Sequence, residues 1–144
     1  MIVPLFLADL RVLIVEDNGF VAIAYENFVD ECGCVSCITA PDITTALANL
    51  PIFQPHLVLL DIAMHQAEPD FRIADALVEQ GIPFVFCTAL PFSVIPERHN
   101  GRPCVSKPFI DDEMVGAMRA ALSTQANALT GIHLAEGPST GSKR

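Results

Sequence analysis

Residues 57–61 read LVLLD, four apolar residues followed at once by an aspartate. A short continuous apolar run is typical of a strand that is buried on both faces of a parallel sheet. Similar runs occur at residues 11–16 (RVLIVE) and 83–87 (PFVFC), and shorter ones at residues 35–39 and 104–106. Together these runs predict five strands along the chain.

Segments with helical spacing of apolar residues separate the predicted strands. The first of these has Val21, Ala24, Phe28 and Cys32 on one face. Capping residues set the expected helix ends: Asn18 and Asp111 as N-caps, and Gly33, Pro51 and Gly81 as stops. Residues 89–101, rich in proline and polar residues, carry only a weak helix signal. Alternating strands and helices predict an α/β fold, a doubly wound parallel five-stranded sheet with helices on both faces.

Composition limits both the size and the partners of this fold. The 144 residues are 51% hydrophobic, enough for one domain with a substantial core. A net charge of -9 argues against nucleic acid and against an anionic membrane surface as partners. The five cysteines do not suggest a disulfide framework, and we find neither a signal peptide nor a membrane span. The expected setting is therefore the reducing cytoplasm.

The chemically active residues follow the predicted strands directly. Glu16 and Asp17 follow the first strand, Asp61 the third, Thr88 the fourth and Lys107 the fifth. Ligands of open α/β sheets bind at this carboxyl edge. Clustered carboxylates suit a hard cation such as Mg²⁺, and a carboxylate can attack a phosphoryl group. The lysine and the metal would neutralise the charge on the transferred oxygens.

These residues resemble the motifs of a response-regulator receiver domain of two-component signalling, over roughly residues 10–123. The resemblance implies a flavodoxin-like (βα)5 fold with strand order 2-1-3-4-5. Residues 1–9 would then form an N-terminal extension, and residues 124–144 a helix extension with a flexible tail. The matching motifs are Val15-Glu16-Asp17-Asn18, Leu59-Leu60-Asp61-Ile62, Thr88-Ala89 and Ser106-Lys107-Pro108-Phe109.

The resemblance also implies a role for each matched position. Asp61 is expected to be the phosphoacceptor and, with Asp17, a direct ligand of Mg²⁺. Glu16 is expected to act on the metal through water, and the backbone carbonyl of Ala63 to supply another ligand. Lys107 is expected to contact the phosphoryl group. Thr88, followed by Ala89, is expected to supply the switch hydroxyl.

The sequence departs from the receiver pattern on the last strand. Receivers usually carry Tyr or Phe three residues before the lysine, and this chain has Cys104 there. Residues 83–90 (PFVFCTAL) resemble a variant group with a Phe-Ala-Thr-Gly box, in which Cys87 and Ala89 replace the alanine and the glycine. That group also lacks the aromatic residue, often consists of a single domain and pairs with an unusual class of histidine kinases.

The resulting hypothesis is a single-domain response regulator. It would accept a phosphoryl group from a histidine kinase or a histidine phosphotransfer protein and signal through a downstream protein partner. It would not be an enzyme beyond slow self-dephosphorylation, because aspartyl phosphatases of the D-x-D type need an acid where this chain has Ala63. A phosphorylation-independent pseudo-receiver that serves as an interaction module is the alternative, and a homodimer is left open.

The Cys34-Val-Ser-Cys37 segment raises one further alternative, a redox or zinc site. Residues three apart on a strand point to opposite faces of the sheet, and no second pair of ligands follows. Both cysteines are therefore expected to be structural.

Overall fold

Five strands and four α-helices alternate along the described part of the chain. The structure is a computed structural model that describes residues 6–34, 36–64 and 68–136, with side chains to residue 123. The strands are β1 (Arg11–Val15), β2 (Ser36–Ala40), β3 (Leu57–Leu60), β4 (Phe84–Thr88) and β5 (Cys104–Ser106). The helices are α1 (Gly19–Glu31), α2 (Ile43–Phe53), α3 (Arg72–Gln80) and α4 (Asp111–Glu136).

The sheet is entirely parallel, with the strand order β2-β1-β3-β4-β5. This confirms the predicted flavodoxin-like fold and its strand order. Successive strand residues enter two separate cores, because side chains alternate between the faces of a sheet. On β1, Val12 and Ile14 pack with α1 and α4, while Leu13 and Val15 pack with α2 and α3. Burying each such side chain stabilises the fold by about 1.5–3 kcal/mol.

Helix α1 meets the sheet through most of the predicted face, because Phe28 and Cys32 are buried in the core and Val21 packs against it. Its buried residues are Ala22, Tyr25, Phe28 and Val29, whereas Ala24 is exposed. This helix is apolar on several sides, so the spacing of its apolar residues wrongly included Ala24 and missed the buried Tyr25 and Val29. The predicted cap was right: the Asn18 side chain accepts hydrogen bonds from Phe20 and Val21.

Two helix ends differ from the prediction. Pro51 lies inside α2, which continues to Phe53 and ends at Gln54 in the left-handed conformation. A proline in the last turn loses only one helical hydrogen bond, and the Gln54 N–H still reaches Leu50 O at 3.0 Å. Asp111 is the first residue of α4 rather than its cap, and the Ile110 carbonyl accepts from Met114 N–H. Gly81 ends α3 in the left-handed conformation, as predicted.

The chain between β4 and β5 forms two short 3-10 turns, Phe92–Val94 and Glu97–His99. No α-helix forms there, in line with the weak signal. The imidazole of His99, only 2% exposed, anchors the second turn because it packs among Phe71, Phe84 and Phe86.

The segments on either side of residues 10–123 are structurally joined to that region. Leu7, within the predicted N-terminal extension, is fully buried in the core beside α1. Helix α4 runs past residue 123 to Glu136, while residues 137–144 of the predicted tail lie outside the described residues. Within the described part, no helix combines the length and the apolar character needed to cross a membrane.

Candidate functional site

Three carboxylates meet at the carboxyl ends of β1 and β3. One oxygen from each of Glu16, Asp17 and Asp61 lies within 4.8 Å of the other two. Backbone hydrogen bonds of the sheet fix this arrangement: Asp61 N–H donates to Val15 O at 3.0 Å, and Glu16 N–H donates to Ala40 O at 3.1 Å. The sheet therefore holds the carboxylates together although they repel one another.

Lys107 brings β5 to the same cluster. Its ammonium lies 3.0 Å from Glu16 Oε1 and 3.2 Å from Asp61 Oδ2. The Lys107 N–H also donates to Thr88 O at 3.0 Å, which joins the ends of β4 and β5. The side chains of Glu16 and Asp61 are only 1% and 4% exposed, so these pairs are largely shielded from water. Short pairs between shielded charges are stronger than exposed ones.

The pKa values follow this burial and pairing. Burial raises the pKa of Glu16, the charge on Asp61 raises it further, and the hydrogen bond from Lys107 only partly opposes the rise. Burial alone would lower the pKa of Lys107, but the hydrogen bond to Glu16 and the charges of both carboxylates raise it overall. Lys107 therefore stays protonated, and Glu16 takes up a proton at a higher pH than an ordinary glutamate.

The carboxyl ends of the strands form one edge of the sheet, called the rim below. The remaining candidate residues on this rim differ in what they contact. Thr88 is fully buried, and its hydroxyl oxygen accepts a hydrogen bond from Leu90 N–H at 3.0 Å. Ala63 adjoins Asp61 through its backbone, because its N–H donates to Asp61 Oδ1 at 3.2 Å. Ala89 is exposed directly after Thr88. Glu16, Asp17, Ala63 and Lys107 thus lie next to Asp61. Thr88 and Ala89 lie at the end of β4, where the Thr88 carbonyl accepts from Lys107 N–H.

Cys104 lies at the other end of β5. It pairs with Phe86, and its Sγ lies 3.3 Å from Arg102 O. The half-buried side chain packs against the core formed with α2 and α3. A small thiol, in contact with Arg102 in the chain between β4 and β5, therefore stands where receivers usually carry an aromatic side chain.

The donor atoms of the cluster fit a hard divalent cation. All three side-chain donors are carboxylate oxygens, which Mg²⁺ and Ca²⁺ prefer, and Asp17 is only half-buried. Glu16, Asp17 and Asp61 would hold such an ion, and the charge of the ion would offset their repulsion.

Sequence reasoning missed two groups of residues. Tyr25 lies beneath the rim, where its ring stacks on Phe109 with 5.2 Å between the ring centroids. On the other face, the Asp75 carboxylate binds His99 Nε2 at 2.7 Å and Arg98 Nε at 2.9 Å. The only sequence signal for the first group is that Tyr25 is the single tyrosine.

The prediction that the two cysteines of the C-x-x-C segment point to opposite faces of the sheet is wrong. Cys34 precedes β2, so the alternation of a strand does not apply to it, and both thiols pack against the same core. All five cysteines are free, and burial raises the pKa of Cys37 to about 12. Protonated thiols are poor metal ligands and poor nucleophiles.

Solved structures of similar fold include SdrG from Sphingomonas melonis Fr1, at 30% identity and TM-score 0.70, over 78% of this chain and 96% of that one. The receiver (REC) domain of the response regulator PhyR from Erythrobacter litoralis has 26% identity and TM-score 0.70, over 81% and 92%. PhyR from Brucella abortus, also 26% identical with TM-score 0.72, matches 86% of this chain, which spans 52% of that response regulator. No protein-family model and no curated protein matches the sequence.

Proposed function

Because this chain is a receiver domain of the response-regulator family, we propose that it accepts a phosphoryl group on Asp61 and signals through protein–protein interaction. The observation that carries the proposal is the contact of Asp61 with Lys107 inside a cluster of three carboxylates. A nucleophile, a fixed cation and a metal-binding donor set are what phosphoryl transfer to a carboxylate needs.

In the proposed reaction, an Asp61 oxygen forms a bond to the phosphorus of a phosphohistidine on the donor. The phosphorus–nitrogen bond breaks, its electron pair stays on the imidazole, and that nitrogen takes a proton from water. Lys107, already 3.2 Å from Asp61 Oδ2, contacts a phosphoryl oxygen. Asp17 and Asp61, with Glu16 through water and the Ala63 carbonyl as a further ligand, would hold Mg²⁺, whose positive charge would stabilise the transferred group. Only slow hydrolysis of the acyl phosphate follows, so the protein is not an enzyme for external substrates.

Thr88 would carry the signal away from Asp61. Its hydroxyl now accepts from Leu90 N–H, at the first turn of the chain that connects β4 to β5. Once Asp61 is phosphorylated, the hydroxyl turns to donate to a phosphoryl oxygen, and Leu90 loses its partner. The segment that starts at Ala89 then reorders and changes the surface offered to a partner.

We further propose that the chain belongs to the receiver variant with a Phe-Ala-Thr-Gly box. Cys104 packs as a partly buried thiol where receivers usually carry an aromatic residue, so the usual threonine–aromatic coupling would be absent. The donor would be a histidine kinase or a histidine phosphotransfer protein, and the recipient a downstream protein; a homodimer is an alternative. The five free cysteines suit the cytoplasm, where such donors are phosphorylated.

The pseudo-receiver is the second candidate. One observation favours it: Lys107 already pairs with both Glu16 and Asp61, so the cluster can be held together without metal or phosphate. Amide NMR separates the two functions. We titrate wild type and Asp61→Ala with Mg²⁺ and then with beryllofluoride, which mimics the acyl phosphate. A phosphoacceptor shows saturable shifts at residues 16–17, 61–64, 87–101 and 105–107 that the variant lacks. A pseudo-receiver shows no beryllofluoride response.

A further inference from the structure

Tyr25 carries a buried hydroxyl that the fold does not explain. The residue is 1% exposed, and its oxygen has no hydrogen-bond partner among the residues described. A phenylalanine would fill the same space on α1 without burying a polar atom. A buried donor without a protein acceptor destabilises the state that contains it, unless another state supplies the acceptor.

Tyr25 contacts the chain close to two site residues, Lys107 and Thr88. It stacks on Phe109, two residues after Lys107, with an angle of 25° between the rings. Its hydroxyl also lies beside the thiol of Cys87, the residue that precedes Thr88 in the chain. Burial raises the pKa of Cys87 to about 12, and the neighbouring Tyr25 hydroxyl opposes that rise. A movement of either strand end therefore reaches Tyr25.

The hydroxyl also senses the acidic cluster. Burial is the main cause that raises its pKa, and negative charge on Cys87, Glu16 and Asp61 adds to the rise. The group thus stays protonated and remains a hydrogen-bond donor, close to the place where phosphorylation would add negative oxygens. Lys107 now pairs with Glu16 and Asp61, and it would follow the phosphoryl group once Asp61 is modified.

We infer that Tyr25 is a positioning residue of the switch, whose hydroxyl donates a hydrogen bond into the site when Asp61 is phosphorylated. It would supply from α1 the aromatic contribution that Cys104 cannot supply from β5. This inference rests on the proposed phosphoacceptor function. It adds the direction of coupling, from the charged site through Tyr25 to Phe109 and α1.

The protein itself offers a specific probe, because it contains one tyrosine and no tryptophan. Its intrinsic emission therefore reports on Tyr25 alone. We titrate the full chain with Mg²⁺ and then with beryllofluoride, and we follow emission and thermal unfolding. Beryllofluoride should change the emission beyond the effect of Mg²⁺, since a phenol that donates to a charged acceptor is quenched.

Tyr25→Phe removes the hydroxyl and keeps the stacked ring. The metal-free variant should melt at a higher temperature than wild type and bind Mg²⁺ equally well. It should bind beryllofluoride about tenfold more weakly, which corresponds to about 1.4 kcal/mol. Thr39→Val is the matched control: it removes another hydroxyl, which bonds Glu26 at 2.6 Å, and should leave beryllofluoride affinity unchanged.

Two results would overturn the role of Tyr25 while leaving the phosphoacceptor intact. In the first, NMR shows Asp61-dependent beryllofluoride binding but the emission stays constant. In the second, Tyr25→Phe binds beryllofluoride as tightly as wild type, or its metal-free form is less stable. If wild type fails to bind beryllofluoride at all, the proposed function fails and the switch role falls with it.

Discussion

Replacement of Lys107 by alanine tests how the acidic cluster is stabilised. The change leaves the buried carboxylates of Glu16 and Asp61 facing each other without their shared cation. Breaking a buried ion pair from one side costs about 3–5 kcal/mol. The lysine side chain is 19% exposed at the rim, so we expect the low end, about 3 kcal/mol in the absence of divalent metal. For a domain of this size the unfolding midpoint falls by about 10 °C.

The loss should depend on metal and on pH. Millimolar Mg²⁺ supplies the missing positive charge, so the difference between variant and wild type shrinks, and the variant binds Mg²⁺ more tightly. The pKa of Glu16 is raised in the folded state, so the folded protein binds its proton more readily than the unfolded chain. The penalty of Lys107→Ala therefore decreases as the pH falls through that raised pKa and Glu16 becomes neutral.

The assay is thermal unfolding with EDTA and with Mg²⁺, from neutral pH down to pH about 4.5, the ordinary value for a glutamate. Arg72→Ala is the matched control because it removes the same charge from an exposed pair, in which Arg72 and Asp70 are 2.7 Å apart. It should have little effect on stability, because exposed ion pairs contribute little, and it should show no metal dependence. The reasoning would be refuted if Lys107→Ala were as stable as wild type in EDTA. It would also be refuted if Mg²⁺ did not reduce the loss of stability.

Three further predictions concern two buried hydrogen bonds and one exposed side chain. Thr88→Val removes the acceptor of Leu90 N–H and should speed hydrogen exchange at Leu90, at a cost of about 1–2 kcal/mol. Asp75→Ala leaves the buried Nε2 of His99 without its acceptor and should destabilise the fold by about 1–3 kcal/mol, measured by urea unfolding. Phe20→Ala should slow phosphotransfer from a phosphorylated histidine donor in a radiolabel assay, because Phe20 is 89% exposed beside the rim.

Each of these predictions has a control. Thr88→Ser keeps the hydroxyl and should exchange like wild type; equal protection in Thr88→Val would contradict the assigned bond. For Asp75→Ala, exchange should quicken in the 3-10 turn Glu97–His99, and unchanged stability would contradict the assigned contact. For Phe20→Ala, the control is Ile52→Ala, 80% exposed on α2, and equal slowing by both would argue against a donor surface at the rim.

The sequence predicted the sheet well because its three central strands are short apolar runs buried on both faces. The bounds of β3 and β5 agree with the prediction, and β1 differs only at Glu16, which follows the strand. On α1 only Ala24 was placed wrongly, because that helix is apolar on more than one side and contact with the sheet decides which residues are buried. The Pro51 stop failed because a proline in a last turn disrupts little.

Part of the site was predictable by the same physical rule. The carboxyl ends of parallel strands lie on one edge, so Asp61 and Lys107 were expected to approach each other before any distance was known. The sequence could not show that Lys107 also binds Glu16, since that depends on side-chain directions. It also could not show the buried hydroxyl of Tyr25 or the contact of His99 with Asp75, which depend on how deeply each ring packs.

The most direct test of the central claim is the mass of the protein after reaction with phosphoramidate and Mg²⁺. We predict the gain of one phosphoryl group in wild type, located on the peptide that contains Asp61 and lost slowly afterwards. Asp61→Asn and wild type in EDTA should show no gain. A wild-type protein that binds Mg²⁺ yet never gains the phosphoryl group, or an Asp61→Asn variant that gains it equally, would contradict the account.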